Sequence, residues 1–269
     1  MDVTSLGLRT DLALLVAAGS TIEDCGDHLV TRSPYNPTHY WGNFLLLDYV
    51  PEPGSAAAWL ARFEEALPDA RHRTFAFDDT SAEPARLAGF ADHGLRIERS
   101  TTLTTSSLTE PPRMNAEATY RRLESDADWA QKRALHIACF DEYDESQEEL
   151  VVRRAESNRQ LVAAVGGGWF GAFLDGQLVS QMGLVNAGSG LARFQSVETH
   201  PSFRGRGLAG TLLHHVGSFG LGDLGARTLV IVAGPDDTAI RLYEAVGFRA
   251  TETTLQAERW PGWDTPGGG

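Results

Sequence analysis

Residues 197–213 read VETHPSFRGRGLAGTLL, an apolar strand that enters a turn rich in Arg and Gly and continues at once into an apolar-periodic helix. Glycines leave the backbone of such a turn open to a ligand and allow unusual dihedral angles. The N–H groups of the turn then lie at the positive end of a helix, an arrangement that binds phosphate or pyrophosphate. We therefore predict that residues 204–210 hold a phosphorylated cofactor.

Two common phosphate-binding patterns fit this stretch less well. Gly205, Gly207 and Gly210 match the dinucleotide pattern G-x-G-x-x-G. In a Rossmann unit, however, the glycines follow the strand directly and an acidic residue comes about 20 residues later. Here six residues separate the strand from the first glycine, and the next plausible acids, Asp236 and Asp237, lie too far along the chain. No Gly-Lys-Ser/Thr follows, which excludes the P-loop.

Two motifs in a fixed order carry a family resemblance. Residues 204–209, RGRGLA, have the form Arg/Gln-x-x-Gly-x-Gly/Ala, and residues 236–248 read DDTAIRLYEAVGF, with a strand between the two at 228–232. They resemble the coenzyme A loop and the late helix, Asn-x-x-Ala-x-x-Leu-Tyr-x-x-x-Gly-Phe, of the GNAT superfamily of N-acetyltransferases. One departure is Asp236, which stands where Asn is usual. The resemblance is close over residues 190–256 and looser back to 114.

The resemblance implies acetyl-CoA as co-substrate. The pyrophosphate is expected on the loop amides, with added charge from Arg204 and Arg206, and the pantetheine arm along the strand edge at Val197 and Thr199, where an extended ligand pairs like an added strand. The sequence offers no cluster of Cys or His with metal-ligand spacing, so no metal is expected. The candidate cofactor-binding residues are Val197, Thr199, Arg204, Gly205, Arg206, Gly207, Leu208, Ala209, Gly210 and Asp236.

Two residues are candidates for the chemistry. By resemblance, the hydroxyl of Tyr243 lies near the thioester sulfur and protonates the departing thiolate; a core tyrosine on an amphipathic helix is the alternative. Glu198 is the candidate base for the amine, since burial against neighbouring aromatic rings is expected to raise its pKa toward neutrality. A solvated or salt-bridged carboxylate near Arg204 is the alternative, and His200 is a weaker base.

The resemblance predicts an N-acetyltransferase that moves an acetyl group from acetyl-CoA to a primary amine by direct attack in a ternary complex. No Cys lies in either motif, so an acetyl-cysteine intermediate is not expected. A non-catalytic acyl-CoA binding or sensing protein is the alternative. The acceptor is a small-molecule or peptide amine. An acidic stretch at 141–149 either recruits a cationic amine or is a solvated helix start.

Composition sets the class of protein and its compartment. A chain of 269 residues with 42% hydrophobic and 22% charged residues is globular and long enough for two domains. The net charge of −13 argues against a nucleic-acid-binding surface. No apolar run reaches the ~20 residues that span a bilayer, and no secretory signal begins the chain. With Cys25 and Cys139 far apart in the sequence, we expect a cytoplasmic protein without membrane or nucleic-acid partners; a homodimer is left open.

The chain divides near residues 109–113, where two prolines interrupt regular structure. We predict an α/β fold of two GNAT-like units, each a mixed, mostly antiparallel sheet flanked by helices. The expected domains are a degenerate GNAT-like domain at 1–110, an acetyl-CoA-binding GNAT domain at 114–257 and a flexible tail at 258–269.

The first half repeats the second weakly. Residues 85–95 align with the late helix so that Phe90 falls on Tyr243. Residues 49–54, YVPEPG, stand in place of the glycine loop, but they contain no Arg and two prolines, which have no N–H group. We therefore predict that the first unit has lost its cofactor loop. Two α/β halves that look alike by chance are the alternative.

Overall fold

In the computed structural model, which describes residues 1–37, 39–140, 148–235 and 237–261, the chain forms two compact units. The first unit consists of Met1–Thr102 and Thr251–Gly269, and the second consists of Leu103–Ala250. The chain therefore leaves the first unit, builds the second and returns to the first for its last strand.

The first part of the chain contains three α-helices and five strands among its described residues. They are α1 (Leu6–Ala17), β1 (Thr21–Asp24), β2 (His28–Arg32), β3 (Phe44–Leu47), α2 (Ala56–Ala66), β4 (Arg73–Phe77), α3 (Ala88–Asp92) and β5 (Arg96–Thr105). Helix α1 begins at Ser5, whose side chain accepts the N–H of Leu8. Such a cap satisfies one of the free donors at a helix start.

The rest of the chain contains four α-helices and six strands among its described residues. They are β6 (Thr119–Arg122), α4 (Asp126–Ala138), α5 (Glu148–Val165), β7 (Gly167–Leu174), β8 (Gln177–Gly188), β9 (Leu191–Thr199), α6 (Leu208–Leu221), β10 (Thr228–Ala233), α7 (Ala239–Ala245) and β11 (Arg249–Arg259). Positive φ angles at Asp175 and Gly176 make the tight turn of the β7–β8 hairpin, which the Asp-Gly pair predicts.

The strands of the first unit lie in the order β1-β2-β3-β4-β11-β5. The pairs β1–β2, β2–β3 and β4–β11 are antiparallel, whereas β3–β4 is parallel. Helix α2 connects β3 to β4, since parallel neighbours need a crossover. Apolar side chains line both faces of this sheet, with Phe63, Phe75 and Phe77 in one cluster and Phe44 and Leu46 in another.

The second unit repeats this arrangement, with strand order β10-β9-β8-β7-β6. The pairs β6–β7, β7–β8 and β8–β9 are antiparallel, whereas β9–β10 is parallel and is connected by α6. One core cluster contains Leu212, Leu213 and Phe248, and another contains Trp129 and Trp169. In each unit the strands form a mixed, mostly antiparallel array flanked by helices, which confirms the predicted fold class.

The last strand is where the compact units differ from the predicted domain limits. The prediction put residues 114–257 in one domain and 258–269 in a tail, whereas β11 continues to Arg259 and belongs to the first unit from Thr251 on. The reason is nonlocal strand pairing, because β11 lies antiparallel to β4. No helix of the described residues has the length and apolar character to cross a membrane.

Candidate cofactor and active site

The turn between β9 and α6 leaves its backbone donors available. Gly205 and Gly207 have φ angles of 73° and 78°, and Gly207 is the N-cap of α6. None of the N–H groups of residues 205–210 donates to a described residue, and no described side chain caps the helix. Arg204 and Gly205 are exposed. A row of donors at the positive end of a helix suits a phosphate.

The linker before β6 supports this loop through its carbonyl groups. Arg113 donates from Nη1 to the Gly205 oxygen at 2.6 Å, and Asn115 donates from Nδ2 to the Arg206 oxygen at 3.1 Å. A Cβ atom at Gly207 would lie 2.6 Å from the carbonyl oxygen of Arg113. Gly207 is therefore required both by its positive φ and by the close approach of the linker. The linker thus holds the loop through the carbonyl oxygens of the loop, while the N–H donors of the loop stay available.

The side chains of the loop divide between surface and core. Arg204 donates from Nε to the carbonyl oxygen of Thr199 at 3.2 Å, and Arg206 pairs with Glu117 at 2.6 Å. Leu208 and Gly210 are buried, and Ala209 is half-buried. The side chain of Leu208 thus packs in the core, and only its backbone is available to a ligand. The charge that Arg206 was expected to add is partly offset by its acidic partner.

Strands β9 and β10 separate beyond a short paired region. They pair only from Leu191 opposite Thr228 to Arg193 opposite Val230, although both strands continue. At Ser196 the φ angle is 48°, beside a register shift between β8 and β9. Such a bulge bends a strand and disrupts its ladder. The edge of β9 that holds Val197 and Thr199 therefore has no paired residue on β10, as pantetheine binding along this edge requires.

Tyr243 lies on α7 and is 5% exposed. Its ring meets that of Phe248 edge-on at 6.5 Å between centroids. Burial, with a smaller effect of the charge on Asp237, raises the pKa of its hydroxyl. The phenol is therefore protonated at neutral pH. Asp236, the last of the predicted cofactor contacts, lies outside the described residues.

Glu198 is enclosed by hydrogen bonds. Its Oε1 lies 2.6 Å from Nδ1 of His136, and its Oε2 accepts from Nε2 of Gln181, whose own oxygen accepts from the indole N–H of Trp169. Burial raises the pKa of Glu198, but His136, Gln181 and the charge on Lys132 outweigh burial and hold that pKa below its usual range. The expected shift toward neutrality is therefore wrong, because donors surround the buried carboxylate.

Sequence reasoning did not single out the partners of Glu198. Lys132 and His136 lie one turn apart on α4, where a capping box between Ser125 and Asp128 begins the helix. Lys132 is 3% exposed, its Nζ lies 5.0 Å from the ring centroid of Trp169, and burial lowers its pKa to about 8. Lys132 is also the single lysine of the chain. The presence of a single lysine was the one feature of the sequence that could have drawn attention to this position.

The remaining candidates have other surroundings. His200 accepts the N–H of Ser202 at Nδ1, 3.2 Å away, as a turn residue does. Cys139 is half-buried and donates from Sγ to the Thr199 oxygen at 3.6 Å. Of the acidic stretch, residues 141–147 lie outside the described part of the chain. The described residues contain no group of three or more His, Cys, Asp or Glu that could hold a metal ion.

Two units of related topology, one with a glycine loop whose N–H donors are available beside separating strands, define an α/β protein. Residues 126–248 match the acetyltransferase (GNAT) family. This part of the chain is a GNAT acetyltransferase domain, as the two motifs predicted. No curated protein matches the sequence.

Solved structures share the fold over both units. A GCN5-related N-acetyltransferase from Kribbella flavida is 18% identical, with a TM-score of 0.64, over 96% of this chain and 97% of that one. A tandem GNAT protein from the clavulanic acid biosynthesis pathway is 15% identical, with a TM-score of 0.57, over 92% and 87%. A functionally unknown protein from Staphylococcus epidermidis is 12% identical, with a TM-score of 0.69, over 88% and 92%. The fold is that of a tandem GNAT protein.

Proposed function

We propose that the second unit transfers an acetyl group from acetyl-CoA to a primary amine by direct attack in a ternary complex. The observation that carries this proposal is the row of available N–H groups at residues 205–210, next to the point where β9 and β10 separate. The loop amides bind the pyrophosphate, aided by Arg204 and Arg206, and the edge of β9 at Val197 and Thr199 binds the pantetheine arm. Asp236 stays a predicted cofactor contact.

Acetyl transfer then needs proton movements at two positions. The nitrogen of the neutral amine attacks the thioester carbonyl, a C–N bond forms and the C–S bond breaks. The proton that the nitrogen loses passes toward the buried cluster around Glu198, whose carboxylate stabilises the added positive charge. Tyr243, kept protonated by burial, donates a proton to the departing thiolate.

The acceptor is an amine of a small molecule or a peptide. The net charge of −13 supports attraction of a cationic acceptor over long range. Direct attack needs no cysteine intermediate, and Cys139 agrees with this because burial raises the pKa of its thiol.

Two measurements on matched glycine variants test the proposal. Gly205 and Gly188 have φ angles of 73° and 76°, and a Cβ at either position would meet nothing within 4 Å. Aspartate at either site brings the same local strain, but only Gly205→Asp puts a negative charge beside the bound pyrophosphate. We expect Gly205→Asp to weaken acetyl-CoA binding by about 100-fold or more, about 2.7 kcal/mol, and Gly188→Asp to leave it unchanged.

Calorimetric binding is paired with an assay of thiol release against a panel of amines. Tight binding of acetyl-CoA without thiol release for any amine would support the sensing alternative instead. Equal affinity in the Gly205→Asp and Gly188→Asp variants would contradict the phosphate site itself.

A further inference from the structure

We propose that His136 removes the proton from the acceptor amine, and that Glu198 and Gln181 are positioning residues that hold its ring. This inference rests on the proposed acetyl transfer and names a residue that neither motif contains. It moves the basic group of the site from strand β9 to helix α4.

Both oxygens of the Glu198 carboxylate already accept hydrogen bonds. One oxygen lies 2.6 Å from Nδ1 of His136, and the other accepts from Gln181. With its pKa held below the usual range, the carboxylate is ionised at neutral pH and is a weak base. An ionised carboxylate accepts hydrogen bonds only, so Nδ1 of His136 carries the proton and donates it.

In the neutral form of the ring, a proton on Nδ1 leaves Nε2 of His136 with its lone pair. Nε2 makes no hydrogen bond with a described residue, and the side chain of His136 keeps 12% of its surface exposed. The ring also meets that of Phe140 edge-on at 4.9 Å between centroids. A neutral imidazole that is fixed through one nitrogen presents the other as a proton acceptor.

The groups behind Glu198 make this orientation rigid. Gln181 is fully buried, and its oxygen accepts from the indole N–H of Trp169, which is 1% exposed. The indole lies directly over Gly183, where a Cβ atom would collide with the ring. A chain of hydrogen bonds thus runs from Trp169 through Gln181 and Glu198 to His136. Supporting partners of this kind fix the tautomer and orientation of a histidine.

The proton step follows from this geometry. As the C–N bond forms, the proton on the amine nitrogen passes to Nε2 of His136, and the imidazolium is stabilised by the charge of Glu198 through Nδ1–H. The electron pair of the breaking C–S bond goes to sulfur, which takes a proton from Tyr243. The imidazolium then gives its proton to water, and the tyrosinate regains one from water, so the balance closes.

Kinetics of single variants test the assignment in the full chain. We expect His136→Ala to lower kcat by about 100-fold while the Kd for acetyl-CoA stays within about threefold, and free imidazole to restore part of kcat. Glu198→Gln keeps the shape of the side chain but removes its charge, and kcat is expected to fall by about 10-fold with the KM for acetyl-CoA unchanged. His93→Asn, at an exposed histidine of the first unit, is the control and retains full activity.

A spectroscopic measurement supplies a readout independent of turnover. In ¹⁵N-histidine-labelled protein without acetyl-CoA, we expect the His136 ring to carry its hydrogen on Nδ1, and Glu198→Gln to weaken this preference. The signal is assigned by its loss in His136→Asn, which also serves as the kinetic variant if His136→Ala does not fold.

The outcomes separate the two proposals. Wild-type thiol release together with full kcat in both His136 variants would overturn the role of His136 and leave acetyl transfer standing. A wild-type protein that binds acetyl-CoA but acetylates no amine would overturn both. A His136 ring protonated on Nε2 rather than Nδ1 would also overturn the assignment.

Discussion

Each unit contains a parallel pair of strands connected by a helix. The two pairs differ at the end where the paired residues stop. In the second unit β9 and β10 pair over three residue pairs and then separate. In the first unit β3 and β4 pair from Leu45 opposite Phe75 to Leu47 opposite Phe77, and Asp78 continues the ladder by donating its N–H to the Leu47 oxygen at 2.8 Å. An extended ligand therefore has an open strand edge in one unit and none at the matching place in the other.

The loops that follow these strands differ in the same sense. Where the second unit offers N–H groups, the first has two prolines, and Ser55 donates its N–H to the Glu52 oxygen at 2.9 Å. Arg86 donates a hydrogen bond to the carbonyl oxygen of Val50. A Cβ atom at Gly89 would collide with the carbonyl oxygen of Pro53. Helix α3 thus lies directly on this loop. The topology alone does not make a phosphate site; donors that remain free of protein partners do.

Deletion of residues 204–207 is expected to have the largest effect. Because the first unit offers no comparable loop, all acetyl-CoA binding should disappear, a loss of at least about 100-fold in affinity. The matched variant replaces residues 51–53 of the first unit with glycines and is expected to bind as the wild type does. Calorimetry measures both, with circular dichroism to verify the fold. Residual binding after the deletion would mean that the first unit keeps a site.

The pair Tyr243 and Phe90 gives the next largest effect. Phe90 packs against Phe75 and Phe77 at 5.0 and 5.6 Å between ring centroids and has no hydroxyl to offer. Tyr243→Phe makes the second unit like the first at this position, and kcat should fall by about 10- to 100-fold at unchanged acetyl-CoA affinity. Phe90→Tyr should leave kcat unchanged and cost about 1–3 kcal/mol of stability, because it buries a hydroxyl without a partner. An unchanged kcat in Tyr243→Phe would contradict the role of Tyr243 as the acid that protonates the thiolate.

Two buried carboxylates give a smaller, pH-dependent effect. Burial raises the pKa of Glu258 in the first unit from 4.5 to about 7, and its Oε2 has no hydrogen-bond partner among the described residues. A raised carboxyl pKa means that stability is full below about 4.5 and declines as pH rises to about 7. Glu258→Gln should remove this decline and stabilise the protein at pH 8 by about 3 kcal/mol.

The contribution of Glu198 in the second unit to stability depends on pH with the opposite sign. Its lowered pKa makes its contribution present above 4.5 and lost as pH falls through the folded-state value. Urea unfolding midpoints of wild type, Glu258→Gln and Glu198→Gln between pH 4 and 8 measure both effects. A wild-type midpoint that rises steadily from pH 5 to 7, with the same slope in Glu258→Gln, would contradict the assignment for Glu258.

What the sequence predicted well is local. The loop at residues 204–210 is recognisable because glycine at positive φ and a following apolar-periodic helix are encoded within a few residues. The return of β11 to the first unit was missed because strand pairing joins residues far apart, here Leu255 and Phe77. His136 was missed for the same reason, since its partner Glu198 is 62 residues away. The pKa of Glu198 could not be predicted while its donors were unknown.

Lys132→Met is expected to have the smallest effect of these changes. The ammonium has no hydrogen bond or ion pair with a described residue, so its removal relieves a desolvation cost while losing a contact with the ring of Trp169, 5.0 Å away. We expect a stability change within about 1 kcal/mol, because these two terms oppose each other.

Since the charge on Lys132 helps to keep Glu198 ionised, kcat of Lys132→Met should fall by about threefold. Arg133→Met, on the same helix, is the control. A loss in kcat as large as that of His136→Ala would instead mean that the ammonium of Lys132 acts on the reacting atoms.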